Sequence, residues 1–323
     1  VIHFDFETSF EEFDSYLKSV GLIRENENVI GLQKPGEGNM NVVIRIKTNT
    51  NSYILKQSRD YVQKYPQIPA PLDRIMVENI FYSRLADSSV SKHFPKVLHT
   101  DAENFLLLFE DLGQIEDLTQ MYSKKQIDKN TLKSLVQILS GIHSVIPNPE
   151  QPKNLKLREL NHQHIFVLPF VQDNGFNLDD VQSGLQELSL PIKNNRELKR
   201  KIDEIGLRYL SQGNTLLHGD YYPGSWMENQ KQLYVLDPEF SFVGFSEFDL
   251  GVMAAHLILA TGDLGILKEI FNEYQGSASW ELTSQIAGIE ILRRLIGLAQ
   301  LPLQRSLKEK EGLLDLAQKL VLS

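Results

Sequence analysis

Leu233-Tyr234-Val235-Leu236-Asp237-Pro238-Glu239 is a short apolar run that ends in two carboxylates separated by a proline. Extended residues two apart project to one side, so a strand reaching Leu236 predicts that Asp237 and Glu239 present both carboxylates to one spot. Like charges taken out of water repel, and holding both ionised makes sense when a cation is shared. Mg²⁺ suits the pair, because it binds one or two carboxylates and takes its other oxygens from water and phosphates. A solvated turn after the strand is the alternative that the local sequence leaves open.

A second apolar run, Thr215–Leu217, leads into Leu217-His218-Gly219-Asp220 and the turn-rich Tyr221-Tyr222-Pro223-Gly224. An aspartate held in such a loop can take a proton from a substrate hydroxyl during phosphoryl transfer, which makes Asp220 the candidate general base, with a turn-forming role as its alternative. His218 reads as a brace, since a buried imidazole can hydrogen-bond loop backbone.

Toward the N-terminus, Ser9 and Glu12 form a capping-box pattern that opens an amphipathic helix through Lys18, stopped by Gly21. Val29–Gln33, Val42–Lys47 and Tyr53–Gln57 are β-rich runs divided by stretches of turn composition, an antiparallel meander. Gly36-x-Gly38 falls between two of these strands, so it is a hairpin and not a Rossmann strand-to-helix turn. Glycines there let backbone amides approach phosphate oxygens, although a plain β-turn uses the same residues. Lys56, on the third strand, can neutralise phosphates if Glu78 on the predicted helix Asp73–Ala86 positions it; an edge lysine and a solvated glutamate are the alternative. Strands near Lys96–His99 and Phe105–Glu110 complete this part.

From about Gly113 the pattern becomes helical, notably over Asn130–His143, Asn195–Ser211, Asp249–Ala260 and Leu282–Leu298. Pro147–Asn161 reads as a connection. Arg293-Arg294 interrupts an otherwise apolar helix, and a buried guanidinium needs a partner: a structural carboxylate such as Asp249, or a bound anionic or polyhydroxy ligand. His162-x-His164 lacks neighbouring carboxylates in sequence and is a weak metal candidate.

With 323 residues, 41% hydrophobic and 23% charged, the chain has enough material for two lobes. A formal charge of -9 argues against nucleic-acid binding, and the absence of cysteine excludes disulfides and zinc–thiolate sites. No apolar run is long enough to span a membrane, and Val1–Phe10 lacks the basic start of a targeting sequence, so a cytoplasmic protein acting on a small molecule is expected.

Taken in order, the lid, strand lysine, helix glutamate, His218-Gly219-Asp220 loop and Asp237 motif resemble the aminoglycoside phosphotransferase and choline kinase superfamily over nearly the whole chain. Within it the chain most resembles the methylthioribose kinase family. The matching stretches are Gly36-Glu37-Gly38-Asn39-Met40-Asn41, Ile54-Leu55-Lys56-Gln57, Phe109-Glu110-Asp111-Leu112, Gly224-Ser225, Asp237-Pro238-Glu239-Phe240, Phe248-Asp249-Leu250-Gly251, and Arg293-Arg294 with Ile296-Gly297-Leu298-Ala299. Tyr221-Tyr222-Pro223 departs from the Leu-His-Thr usual in that family, and the chain is shorter than typical members.

The resemblance implies an α+β, two-lobed protein-kinase-like fold: an antiparallel-sheet N-lobe with one inserted helix (residues 1–112) and a mainly helical C-lobe (113–323). It implies ATP and Mg²⁺ as cofactors. Gly36, Gly38, Asn39, Lys56, Glu78, Glu110 and Leu112 then serve the nucleotide, Asp237 and Glu239 the metal, Asp220 catalysis, and Arg293 and Arg294 the substrate. The implied partner is a small hydroxyl acceptor, methylthioribose first and phosphorylated on its anomeric hydroxyl, with no nucleic acid or membrane and a homodimer left open. The rivals are an aminoglycoside or amino-alcohol kinase, for which Tyr221, Tyr222, Trp226 and Trp280 are candidate walls of a cation pocket, a kinase for another sugar, and a catalytically silent nucleotide-binding scaffold.

Overall fold

The computed structural model describes residues 1–36, 38, 40–148, 153–229 and 232–323. The chain forms two compact units, Val1–Asp87 with Ser91–Ile115, and Ser88–Val90 with Glu116–Ser323. The first unit runs on through the turn at Gly113 to Ile115. The reason is local: the Gly113 carbonyl accepts from Arg45 Nη2 at 2.7 Å and the Gly113 N–H donates to Asp111 at 2.9 Å, which ties that turn to the first unit.

In the first unit, α1 (Phe10–Ser19) is closed at its N-terminus by the Ser9–Glu12 capping box, a device worth about 1 kcal/mol. Its spacing turns Phe13, Tyr16 and Leu17 into the core, with Phe4 stacked on Phe13 at 4.9 Å. Strands β1 (Val29–Gln33), β2 (Val42–Thr48) and β3 (Ser52–Gln57) form the expected meander. A small ribbon, β4 (Tyr61–Val62) with β5 (Tyr65–Pro69), follows outside the main sheet. The helix α2 (Arg74–Leu85) and the strands β6 (Val97–Asp101) and β7 (Leu106–Glu110) complete a five-stranded antiparallel sheet ordered β1-β2-β3-β7-β6. Lys56 is therefore on the central strand, paired opposite Val43 and Leu107, and not on an edge. Arg74, fully buried, donates to the carbonyls of Arg59, Pro71 and Met40 and so fastens three loop segments to the start of α2.

The second unit is largely helical. It holds β8 (Glu116–Asp117), α3 (Met121–Lys124), α4 (Lys129–His143), α5 (Leu155–His162), α6 (Leu185–Asn194), α7 (Arg196–Leu210), β9 (Thr215–Leu217), β10 (Trp226–Glu228), β11 (Leu233–Val235), β12 (Phe242–Gly244), α8 (Glu247–Thr261), α9 (Gly265–Glu273), α10 (Trp280–Ile296) and α11 (Leu307–Leu322). The segment read as a connection, Pro147–Asn161, contains most of α5. Its N-cap, Asn154, sits in the left-handed region at φ 49° and uses its side-chain amide to hold the carbonyls of Glu239 and Ser241.

The helices α8 and α10 are buried along nearly their whole length and pack on each other. Gly251 permits this approach, because a Cβ there would lie 2.6 Å from Ile286 and 3.0 Å from the Thr283 carbonyl. The antiparallel pair β9–β12 and the set β11-β10-β8 carry the loops between them. Among the described residues no helix is long and apolar enough to cross a membrane.

Candidate active site

The first unit holds a buried ion pair. Lys56 Nζ lies 2.6 Å from Glu78 Oε2, with both side chains almost wholly shielded from water. Alternation along β3 turns Lys56 to the same side of the sheet as Ile54, and α2 brings Glu78 to meet it. Gly36 and Gly38 lie in the β1–β2 connection, where a Cβ would meet nothing at Gly36 and only ordinary contacts at Gly38. The unit's own packing therefore does not require glycine at either position. Asn39 lies outside the described residues. Glu110 ends β7 and exchanges two hydrogen bonds with Lys96, its N–H donating to the Lys96 carbonyl and its carboxylate accepting from the Lys96 N–H; Leu112 follows it in the strand exit.

The second unit builds the loop around Asp220. Gly219 has φ +86°, and a Cβ there would lie 2.2 Å from the Phe240 carbonyl oxygen, so both the turn and the close approach demand glycine. Asp249, fully buried at the start of α8, accepts from the His218 N–H at 2.7 Å and the Gly219 N–H at 3.0 Å, gripping two successive amides with one carboxylate. His143 backs Asp249 at 3.2 Å and meets Tyr274 Oη at 2.9 Å. His218 is the brace: Nδ1 accepts from the Asp220 N–H at 3.3 Å, which leaves Nε2–H to donate to the Leu236 carbonyl at 2.9 Å. Ser225 Oγ donates to the Asp220 carbonyl, fixing the far side of the loop.

Asp237 and Glu239 are not two steps along a strand. The strand β11 ends at Val235, Asp237 adopts the left-handed conformation at φ 61°, ψ 50°, and Glu239 lies in the short helical turn Pro238–Phe240. Proline cannot continue the ladder, and the chain must turn to meet β12; the shared direction expected from alternation is replaced by a tight turn. Glu239 is buried, and its charge raises the pKa of Asp220. Among the described residues no three His, Asp or Glu side chains converge to cage an ion. Two carboxylates on one turn near Asp220 nevertheless fit Mg²⁺ by the chemistry of the donor set, since this ion takes its remaining oxygens from water and phosphate.

The Arg293-Arg294 partner is Glu290, one and the same helix turn earlier, and not Asp249, which is spent on the loop. Arg294 Nε donates to Glu290 Oε1 at 2.7 Å. Arg293 Nε stands 3.1 Å from Oε2, but its N–H is not aimed at the carboxylate and finds no acceptor. Burial drives the Asp220 carboxyl upward, Arg294 and Arg293 pull it down, and Glu290 and Glu239 push it up again, leaving it at about 6. The same two arginines hold Glu290 well below the usual carboxylate range against the opposing effect of burial.

Sequence reasoning missed Glu290 and its neighbours. Glu290 lies three and four residues before the arginines on one helix, the spacing at which side chains meet, and that signal was available. Tyr122 and His256 complete the network, with Tyr122 Oη 2.6 Å from His256 Nδ1 and His256 Nε2 3.1 Å from Glu290 Oε1, contacts that no local pattern announces. The proposed aromatic walls do not converge. Tyr221 and Trp226 are fully buried, Tyr221 donating to the Leu135 carbonyl, and Trp280 is half exposed against Phe271. Only Tyr222 borders the arginines, and its ring face is already covered by the Arg294 guanidinium at 5.2 Å. His162 lies against Phe166 at 5.3 Å between ring centroids, and burial lowers its pKa and that of His164.

The chain is similar to known proteins over most of its length. The chain is 28% identical over 256 residues to a methylthioribose kinase of Exiguobacterium sibiricum and 27% identical over 261 residues to one of Yersinia pseudotuberculosis; each match covers 76% of this chain. They span 64% and 62% of those relatives, so the chain matches less than two thirds of their length. In fold it is similar to the choline kinase LicA from Streptococcus pneumoniae, with TM-score 0.55 at 15% identity over 97% of this chain and 99% of that one. A choline kinase from Cryptosporidium parvum gives 0.56 at 12% identity over 97% and 94%. These two likenesses establish the protein-kinase-like architecture. The family model for the phosphotransferase enzyme family matches residues 31–284, which include Lys56, Glu78, the Asp220 loop and the Asp237 turn, and the chain belongs to that family.

Proposed function

We propose that this protein transfers the γ-phosphoryl group of ATP to a hydroxyl of a small, uncharged, sugar-like metabolite, with methylthioribose the leading acceptor. The observation that carries the reading is Asp220, whose loop is gripped by Asp249 and whose carboxyl titrates at about 6 beside two arginines. A base with that pKa is ionised at neutral pH yet basic enough to accept a proton from an alcohol as it attacks. Lys56, oriented by Glu78, would bind phosphate oxygens, and Asp237 and Glu239 are the residues that would hold Mg²⁺. When bound, the ion supplies neutralisation of phosphate charge. Arg293 and Arg294 offer forked donors to acceptor oxygens and to the charge that grows on the transferred group.

The same pair argues against a polycationic or quaternary acceptor, which two guanidiniums repel and for which one face of Tyr222 is already taken by Arg294. A coupled ADP-release assay with Mg-ATP tests the reading across methylthioribose, other pentoses, choline, homoserine and aminoglycosides. Turnover is expected for methylthioribose or a related sugar. Turnover confined to choline or an aminoglycoside contradicts the acceptor class, and no turnover with any hydroxyl acceptor contradicts the activity.

A further inference from the structure

A chain of buried hydrogen bonds runs from α3 through α8 to α10 and ends on the arginine pair. Glu290 is 2% exposed and His256 fully buried. Glu290 is ionised between two guanidiniums, so its oxygens can only accept, and His256 Nε2 must carry the proton it donates to Oε1. Burial lowers the His256 pKa to about 4, so the ring is neutral and Nδ1 is left as an acceptor for the Tyr122 hydroxyl. Each member thus fixes the protonation of the next. The result is asymmetric at the far end. Arg294 is committed, by its bond to Glu290 Oε1 and by its stacking on Tyr222. Arg293, 8% exposed, makes no hydrogen bond with any described residue and is held by charge alone.

The buried Nε–H of Arg293 has no acceptor in good geometry, which is costly, and the terminal nitrogens of the fork make no bond to a described residue and are left to meet a bound molecule. With Glu239, whose charge also reaches Asp220, assigned to Mg²⁺ in the reading above, the remaining charges balance: Arg293 and Arg294 against Glu290 and Asp220. A cation entering this group leaves surplus positive charge, an anion surplus negative charge, and a neutral hydroxylated molecule neither.

We propose that Tyr122, His256 and Glu290 are positioning residues for the phosphotransfer site, fixing Arg294 as an anchor and leaving Arg293 as the fork that receives oxygens of an uncharged, hydroxyl-bearing acceptor. The acceptor half rests on the kinase reading above; the positioning half does not. Two variants, Glu290→Gln and Tyr122→Phe, separate them. Removing the Glu290 charge leaves two guanidiniums with one counter-charge, so inorganic sulfate, measured by titration calorimetry, binds the Glu290→Gln protein about tenfold more tightly than wild type. Tyr122→Phe removes the donor to His256 Nδ1 and so loosens the ring that bonds Glu290, and the acceptor KM rises about three- to tenfold while the ATP KM and kcat stay within about twofold. A purely structural role for Tyr122 predicts no such split.

Circular dichroism establishes folding, and if Glu290→Gln does not fold, Glu290→Asp and Tyr122→Phe decide. Folded variants with unchanged sulfate affinity and unchanged acceptor KM overturn the proposal. If wild type phosphorylates nothing while Glu290→Gln still gains sulfate affinity, the positioning network stands and the kinase reading falls. Equal turnover of a cationic acceptor and a neutral sugar by wild type overturns the selection of an uncharged acceptor.

Discussion

Asp220 and His256 have pKa values displaced in opposite directions, to about 6 and about 4, and the signs give opposite effects on stability. His256 is held below its ordinary 6.5, so between pH 6.5 and 4 the unfolded chain takes up a proton that the native ring refuses, and stability falls as pH falls. Asp220 is held above its ordinary 3.8, so between pH 6 and 3.8 the native state takes up the proton first, and stability rises as pH falls. Asp220→Asn removes the second effect. By thermal or urea unfolding this variant should be more stable than wild type at pH 7–8 by roughly 1–3 kcal/mol, with the advantage gone by about pH 4. In the active protein kcat/KM should fall as pH drops through about 6, because the base becomes protonated. A profile flat from pH 8 to 5 contradicts that assignment.

Arg293→Lys and Arg294→Lys keep the charge and lose the fork, so acceptor kcat/KM should fall about tenfold or more with ATP binding nearly unchanged. Wild-type turnover of a neutral sugar by both folded variants would make the arginines structural. The arginine pair was legible in the sequence because charge on an apolar helix needs a partner. Asp249 was the wrong partner because its carboxylate is consumed by two backbone amides, 31 and 30 residues away, a tertiary fact that spacing cannot carry.

Helices and strands were most legible where periodicity and punctuation agree. The β1 and β9 ranges match those read from the sequence, and α1 carries the capping box foreseen at Ser9 and Glu12. The helix α5 was hidden because Pro152 stands just before it and its few leucines are interspersed with charged and polar residues, and α6 because Pro191 lies inside it. The turn after β11 was misread in geometry, though not in residue content, since strand alternation does not survive Pro238. Two glycines let elements approach and define predictions at this scale. Gly251→Ala places a methyl against Ile286 between α8 and α10 and should cost about 1–3 kcal/mol in a denaturant titration. Gly219→Ala meets both a left-handed φ and the Phe240 carbonyl and should cost more, with activity lost in whatever fraction still folds. A Gly219→Ala protein as stable and active as wild type contradicts the loop geometry.

Over the whole molecule, the order of motifs along the chain made the family legible, because each of the lysine, the glutamate, the loop aspartate and the acidic turn has an ordinary alternative alone and only their succession excludes it. The proposed acceptor site was less legible: the network around Arg293 and Arg294 is assembled from α3, α8 and α10, far apart in sequence. If Asp237 and Glu239 hold Mg²⁺, replacing them with Asn and Gln should abolish turnover and remove the Mg²⁺ dependence of ATP binding by calorimetry; unchanged dependence removes the assignment.

The most direct test of the central claim is single-turnover transfer from γ-³²P-labelled ATP to methylthioribose, comparing wild type with Asp220→Asn. Label should move to the sugar in wild type and move about 10²–10⁴-fold more slowly in the variant, with ATP affinity retained. Equal rates in the two proteins, or label released only to water in both, would contradict it.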